Sequence, residues 1–134
     1  LQTKLIYRFT DASVPPQYHR SYLIRVAREM LNLTVDSYGN TLAEFSIPLS
    51  DNDFYKFLQA LRALQISSVP VQQDSGCTGG VTHHFDIYFD DLIISGYVYA
   101  CGGNNYGTLE GETDKAVHLF KALIPDLAKK IYQK

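Results

Sequence analysis

Along the first half of the chain, apolar and polar side chains alternate in short runs. From Lys4 to Thr10, Leu5, Tyr7 and Phe9 fall on one side and Lys4, Ile6 and Arg8 on the other, a period-2 pattern that predicts a strand with one greasier face. Arg20 to Ala27 repeats it with Tyr22, Ile24 and Val26, and Leu31 to Asp36 and Thr41 to Ile47 repeat it twice more. Asp11 to Pro16 separates the first two runs as a loop, because consecutive prolines fix φ and remove donors. Tyr38-Gly39-Asn40-Thr41 separates the last two and predicts a hairpin with Gly39-Asn40 as its two-residue turn, glycine supplying the positive φ that a primed turn demands.

The period then changes. Pro48 closes the fourth strand, Ser50 offers an N-cap before Asp51 and Asp53, and Phe54, Phe57, Leu58, Leu61 and Leu64 follow 3.6-residue spacing. Ser67 to Gly80 is polar and reads as a long connection. His83, Phe85, Ile87 and Phe89 then alternate with polar neighbours, and the chain returns from Leu92 to Ala100 across Asp90-Asp91. With those aspartates as the turn, Phe89 pairs with Leu92, Ile87 with Ile94, Phe85 with Gly96 and His83 with Val98, so that Gly80 faces Cys101. Cys101 to Gly111 reads as a second glycine-rich loop. Thr113-Asp114 is the expected cap of a last helix with Val117, Phe120, Ile124, Leu127 and Ile131 on one stripe, kinked or restarted at Pro125.

The order β-β-β-β-α-β-β-α predicts an α+β fold: an antiparallel sheet of about six strands with two helices packed on one face. A length of 134 residues suits a single domain, 1–134. Twelve Lys and Arg against fourteen Asp and Glu leave a net charge of −2 with the cations scattered, which excludes the basic stripe of a nucleic-acid binder. No apolar run approaches the roughly 20 residues of a membrane-spanning helix, so no transmembrane segment is expected. Because the chain opens on Leu1, removal of an upstream segment, such as a signal peptide, is expected.

Two segments stand out chemically, Cys77-Thr78-Gly79-Gly80 and Cys101-Gly102-Gly103-Asn104-Asn105-Tyr106. Neither carries the fingerprint of a phosphate-binding or dinucleotide-binding loop, so no cofactor is predicted. The hairpin brings Cys77 and Cys101 to its open end, within reach of a disulfide, which is the favoured reading; free thiols and a nucleophilic cysteine are the alternatives. Zinc is disfavoured, since His83 and His84 are adjacent on a strand and point to opposite faces. A disulfide implies a periplasmic or secreted protein, and its absence a cytoplasmic one. His83 falls on the apolar face as a core-edge residue bonded to backbone, whereas His84 shares the other face with Tyr97 and Tyr99. Glycine loops with rigid tyrosines beside them suit a contact surface, built from Thr78, Gly79, Gly80, His84, Tyr97, Tyr99, Gly102, Gly103, Asn104, Asn105 and Tyr106. Asp11, His19 and Arg20, in and after the proline loop, are secondary candidates.

The segments Tyr7 to Tyr22, Ser75 to Gly80 and Gly96 to Gly103 resemble an uncharacterised group of small bacterial proteins. That resemblance implies a bacterial origin and no particular reaction. The expected function is therefore a non-enzymatic binding or inhibitory module of an exported protein, whose partner is an unknown protein or small ligand. The alternatives are a small enzyme using Cys77 or Cys101 with His83 or His84, as a hydrolase or in thiol exchange, and a purely structural or immunity-type interaction protein.

Overall fold

A computed structural model describes residues 3–72 and 76–132. Among them are eight strands, β1 (Lys4–Thr10), β2 (Ser21–Ala27), β3 (Met30–Ser37), β4 (Asn40–Pro48), β5 (Ile66–Gln72), β6 (Val81–Phe89), β7 (Leu92–Cys101) and β8 (Asn104–Gly111). Three helices complete the chain, α1 (Asp51–Ala63) after β4 and then α2 (Thr113–Ala122) and α3 (Leu127–Ile131) at the end. The strands form one sheet in the order β4-β3-β2-β1-β6-β7-β8-β5, antiparallel throughout. The α+β class and the antiparallel sheet are as expected, and so is the β6–β7 register, with Phe89 opposite Leu92 and His83 opposite Val98.

The sheet is wider than the six strands expected, because two segments read as loops are strands. β8 alternates Tyr106, Thr108 and Glu110 with the buried Gly107 and Leu109, so its inward face carries only one apolar side chain. β5 is an outer strand interrupted by Pro70, and its register with β8 shifts between Ser68 and Gln72. Such a strand needs no hydrophobic alternation, and proline is tolerated where the N–H would face solvent. Its start is fixed instead by a reciprocal pair of bonds: Glu112 N–H donates to the Gln65 carbonyl at 2.8 Å, and Gln65 N–H donates to the Glu112 carboxylate at 2.9 Å.

Smaller corrections concern the turns and caps. The β3–β4 turn is Tyr38-Gly39, one residue earlier than expected, with φ of 49° and 83°. Tyr38 tolerates that conformation because its ring stacks on His19 at 3.7 Å and its hydroxyl donates to the Val14 carbonyl at 2.6 Å. Ser50 caps α1 as predicted, its hydroxyl accepting from Asp53 N–H. The N-cap of α2 is Glu112, so Thr113 is its first helical residue and is buried. Pro125 lies in the break between α2 and α3, where Asp126 takes φ 53°.

The core lies on the helix-covered face of the sheet. Leu5, Tyr7, Ile24, Leu31, Leu33, Phe85 and Ile87 supply the sheet side, and Phe54, Phe57, Leu61, Ala116 and Phe120 the helix side. Each large apolar side chain withdrawn this way contributes about 1.5–3 kcal/mol. Phe120 is the hub, with its ring 5.0 Å from Phe57, 5.7 Å from Tyr7 and 6.4 Å from Phe85. The opposite face carries Ile6, Arg8, Leu23, His84, Tyr88, Ile93, Tyr97, Tyr99 and Tyr106 and, among the described residues, has no helix over it. One covered and one solvated face is the usual economy of an antiparallel sheet.

Candidate functional site

The two cysteine-headed segments do meet. Cys77 and Cys101 form a disulfide with their Cα atoms 6.3 Å apart, and the loop they close is fastened a second time by Tyr99. Its hydroxyl accepts from Gly80 N–H at 3.2 Å and donates to the Cys77 carbonyl at 3.2 Å. Gly80 permits this fit, since a Cβ there would stand 2.5 Å from the Ala100 carbonyl oxygen and 2.8 Å from the Tyr99 ring. Tyr99 thus holds the loop, with Tyr106 beside it at 6.5 Å between rings.

The remaining predicted surface residues surround this staple. Thr78, Gly79, Gly102, Gly103, Asn104 and Asn105 are exposed, and Gly102-Gly103 makes the β7–β8 turn with φ of 61° and 82°. His84 is exposed on the helix-free face, opposite Tyr97 on one neighbouring strand and Arg8 on the other. Tyr97 and Tyr106 are half-buried on the same face. Among the secondary candidates, the Asp11 carboxylate accepts from the N–H groups of Ala12 and Arg20, and buried His19 accepts at Nδ1 from Tyr38 N–H. Both organise the proline loop, and Arg20 leads elsewhere.

Arg20 borders a cleft of about 540 Å³ on the helix-covered side, between the sheet and the α2–α3 pair. Tyr7 and Phe9 from β1, Tyr22 from β2 and His83 from β6 line it from the sheet. Val117, His118 and Lys121 of α2, Leu127, Ala128 and Ile131 of α3, and Tyr132 line it from the helices. The break at Pro125-Asp126 separates α2 from α3, so the two helices contribute separate sets of lining residues. The volume falls within the roughly 300–1,000 Å³ of small-molecule sites, as does the mix of apolar lining with a few convergent polar groups.

The sheet side of this cleft is polarised. Tyr7 Oη lies 2.8 Å from His83 Nδ1, so His83 bonds to a side chain across the β1–β6 pair and not to backbone as expected. Burial pushes the Tyr7 phenol well above the usual tyrosine range, with Tyr22 adding to the effect, and Tyr22 is raised chiefly by its own burial. Burial lowers His83, while Asp114 acts to raise it and Lys121 to lower it. Among the described residues, the lining side chains include Arg20 and Lys121 and no carboxylate.

Tyr7, Tyr22, His118, Lys121 and Tyr132 were not singled out in the sequence. A signal was present, in that Tyr7, Tyr22 and His83 place polar tips at core-facing positions of three strands. The β1–β6 pairing that unites them links residues 76 apart and cannot be read from local pattern.

No family model, curated protein or solved structure matches the chain.

Proposed function

We propose that the protein is a non-enzymatic binding module working outside the reducing cytoplasm, and that it holds a small amphipathic molecule in the cleft over Tyr7 and His83. The observation that carries this is the union of apolar walls with the Tyr7–His83 hydrogen-bonded pair in one cleft of about 540 Å³. The disulfide supports an extracytoplasmic setting, since reducing compartments disfavour such bonds. The bond also occupies both sulfurs, which takes away the free thiolate that a cysteine hydrolase would use. Amide NMR spectra recorded with a library of aromatic and aliphatic fragments test the cleft. Shifts at Tyr7, His83 and Val117 that vanish in Ala128→Trp, where the new ring fills the cleft, are expected; a library that never moves these amides defeats the proposal.

A second reading keeps the tyrosine-bearing hairpin as a protein contact surface. It is favoured by the disulfide and the Tyr99 clamp, which fasten an exposed Gly and Asn tip next to Tyr97 and Tyr106. Tyr97→Ala with Tyr106→Ala should abolish partner capture in a pull-down from native extract, Tyr99 being left intact to preserve the loop. Unchanged capture by the double variant would sink this reading.

A further inference from the structure

Arg20 uses one side of its guanidinium and leaves another idle. Its Nη1 donates to the His19 carbonyl at 2.7 Å and to the Pro16 carbonyl at 3.4 Å, which holds the head group in place. Its Nε is shielded from solvent and lacks a hydrogen-bond partner, the one buried side-chain polar atom in that state among the described residues. A buried donor without an acceptor is costly, and native structures retain one chiefly where something else supplies the acceptor. A guanidinium is a planar, permanently charged donor that suits carboxylate groups.

The surroundings select for charge. Lys121 adds a second cation to the cleft, and among the described residues no lining side chain is acidic, in a chain whose net charge is −2. Phe9, Val117 and Ile131 supply apolar wall. We propose that the ligand is a carboxylate-bearing amphiphile, its head on Arg20 with Lys121 as the second cation, and its apolar body against that wall. This rests on the cleft being the binding site.

Three probes with one naphthyl body test it by NMR titration of the full chain: 1-naphthaleneacetate, 1-naphthaleneacetamide and 1-naphthyl phosphate. The acetate should bind roughly tenfold or more tighter than the amide, as a charge-assisted pair requires. In Arg20→Gln that ratio should fall close to one. Arg20→Lys, which keeps the charge without the fork, should fall between, and Lys121→Gln should lower acetate affinity by a smaller factor. If Arg20→Gln does not fold, the wild-type ratio and Arg20→Lys still decide. Equal binding of acetate and amide overturns the carboxylate assignment and leaves the cleft standing. Tighter binding of the phosphate overturns the choice of head group. Failure of all three to move the cleft amides overturns this proposal together with the cleft itself.

Discussion

Strand β6 connects two differently built regions. At its start, the tip around Cys77, Gly80, Tyr99 and Cys101 is held by a covalent bond and by neighbours within one hairpin and its approach. Three residues beyond Gly80, His83 enters a cleft whose walls come from β1, β2, β6, α2 and α3 and are held by packing, strand pairing and the Tyr7–His83 hydrogen bond, with no covalent link. A covalent staple can fix a glycine-rich tip that buries little. A cleft can keep its shape only if the elements around it are locked into a shared core.

The sharpest way to break this contrast is to remove the packing. Phe120→Ala, which empties the space between Tyr7, Phe57 and Phe85, should cost about 3–5 kcal/mol in urea unfolding and abolish fragment binding in the cleft. Survival of the cleft in that variant would show that its walls stand without the hub. Replacing both cysteines by serine should cost about 3 kcal/mol, from the chain entropy of a crosslink spanning 24 residues, and leave the amide shifts of Tyr7 and His83 unchanged. Shifts that spread into the cleft would show the two regions to be one. Gly80→Ala should cost about 1–3 kcal/mol through overlap with Ala100 and Tyr99, read as faster proteolysis at the tip with the disulfide intact.

The smallest expected effect is a pH slope belonging to the cleft. His83 is held below its ordinary value of 6.5 by burial, so the unfolded chain binds a proton before the folded one does. Its contribution to stability is complete above pH 6.5 and is lost as the pH falls from there through the lowered folded value. Unfolding curves across this window should show less slope in His83→Phe than in the wild type. Tyr7→Phe should cost about 1 kcal/mol for the lost hydroxyl bond.

The same contrast governs how much could be read in advance. The β6–β7 register follows from alternation around Asp90-Asp91, and with it the meeting of Cys77 and Cys101; both are local facts. β5 and β8 escaped because an outer strand and a glycine-bearing strand need no apolar face, their pairing being supplied by each other and by Gln65 with Glu112. Arg20 drew notice as a loop cation, but its place at the cleft depends on how α2 and α3 cross the sheet. The pair Tyr7 and His83 was visible only as two polar tips on apolar faces, and no sequence rule aligns β1 with β6.

That alignment also bears on how the chain is made. β1 to β4 and α1 form a locally connected half, and within the sheet they join the rest only where Lys4 to Thr10 pairs with Thr82 to Tyr88. During synthesis from the N-terminus, β1 must wait more than seventy residues for its second neighbour, at about 5–20 residues per second. For those seconds its unpaired edge and the apolar side chains of Leu5, Tyr7 and Phe9 stand open to other nascent chains. The seam between the halves joins the strand pair most distant in sequence, the pairing that carries the largest loop-closure cost in the sheet.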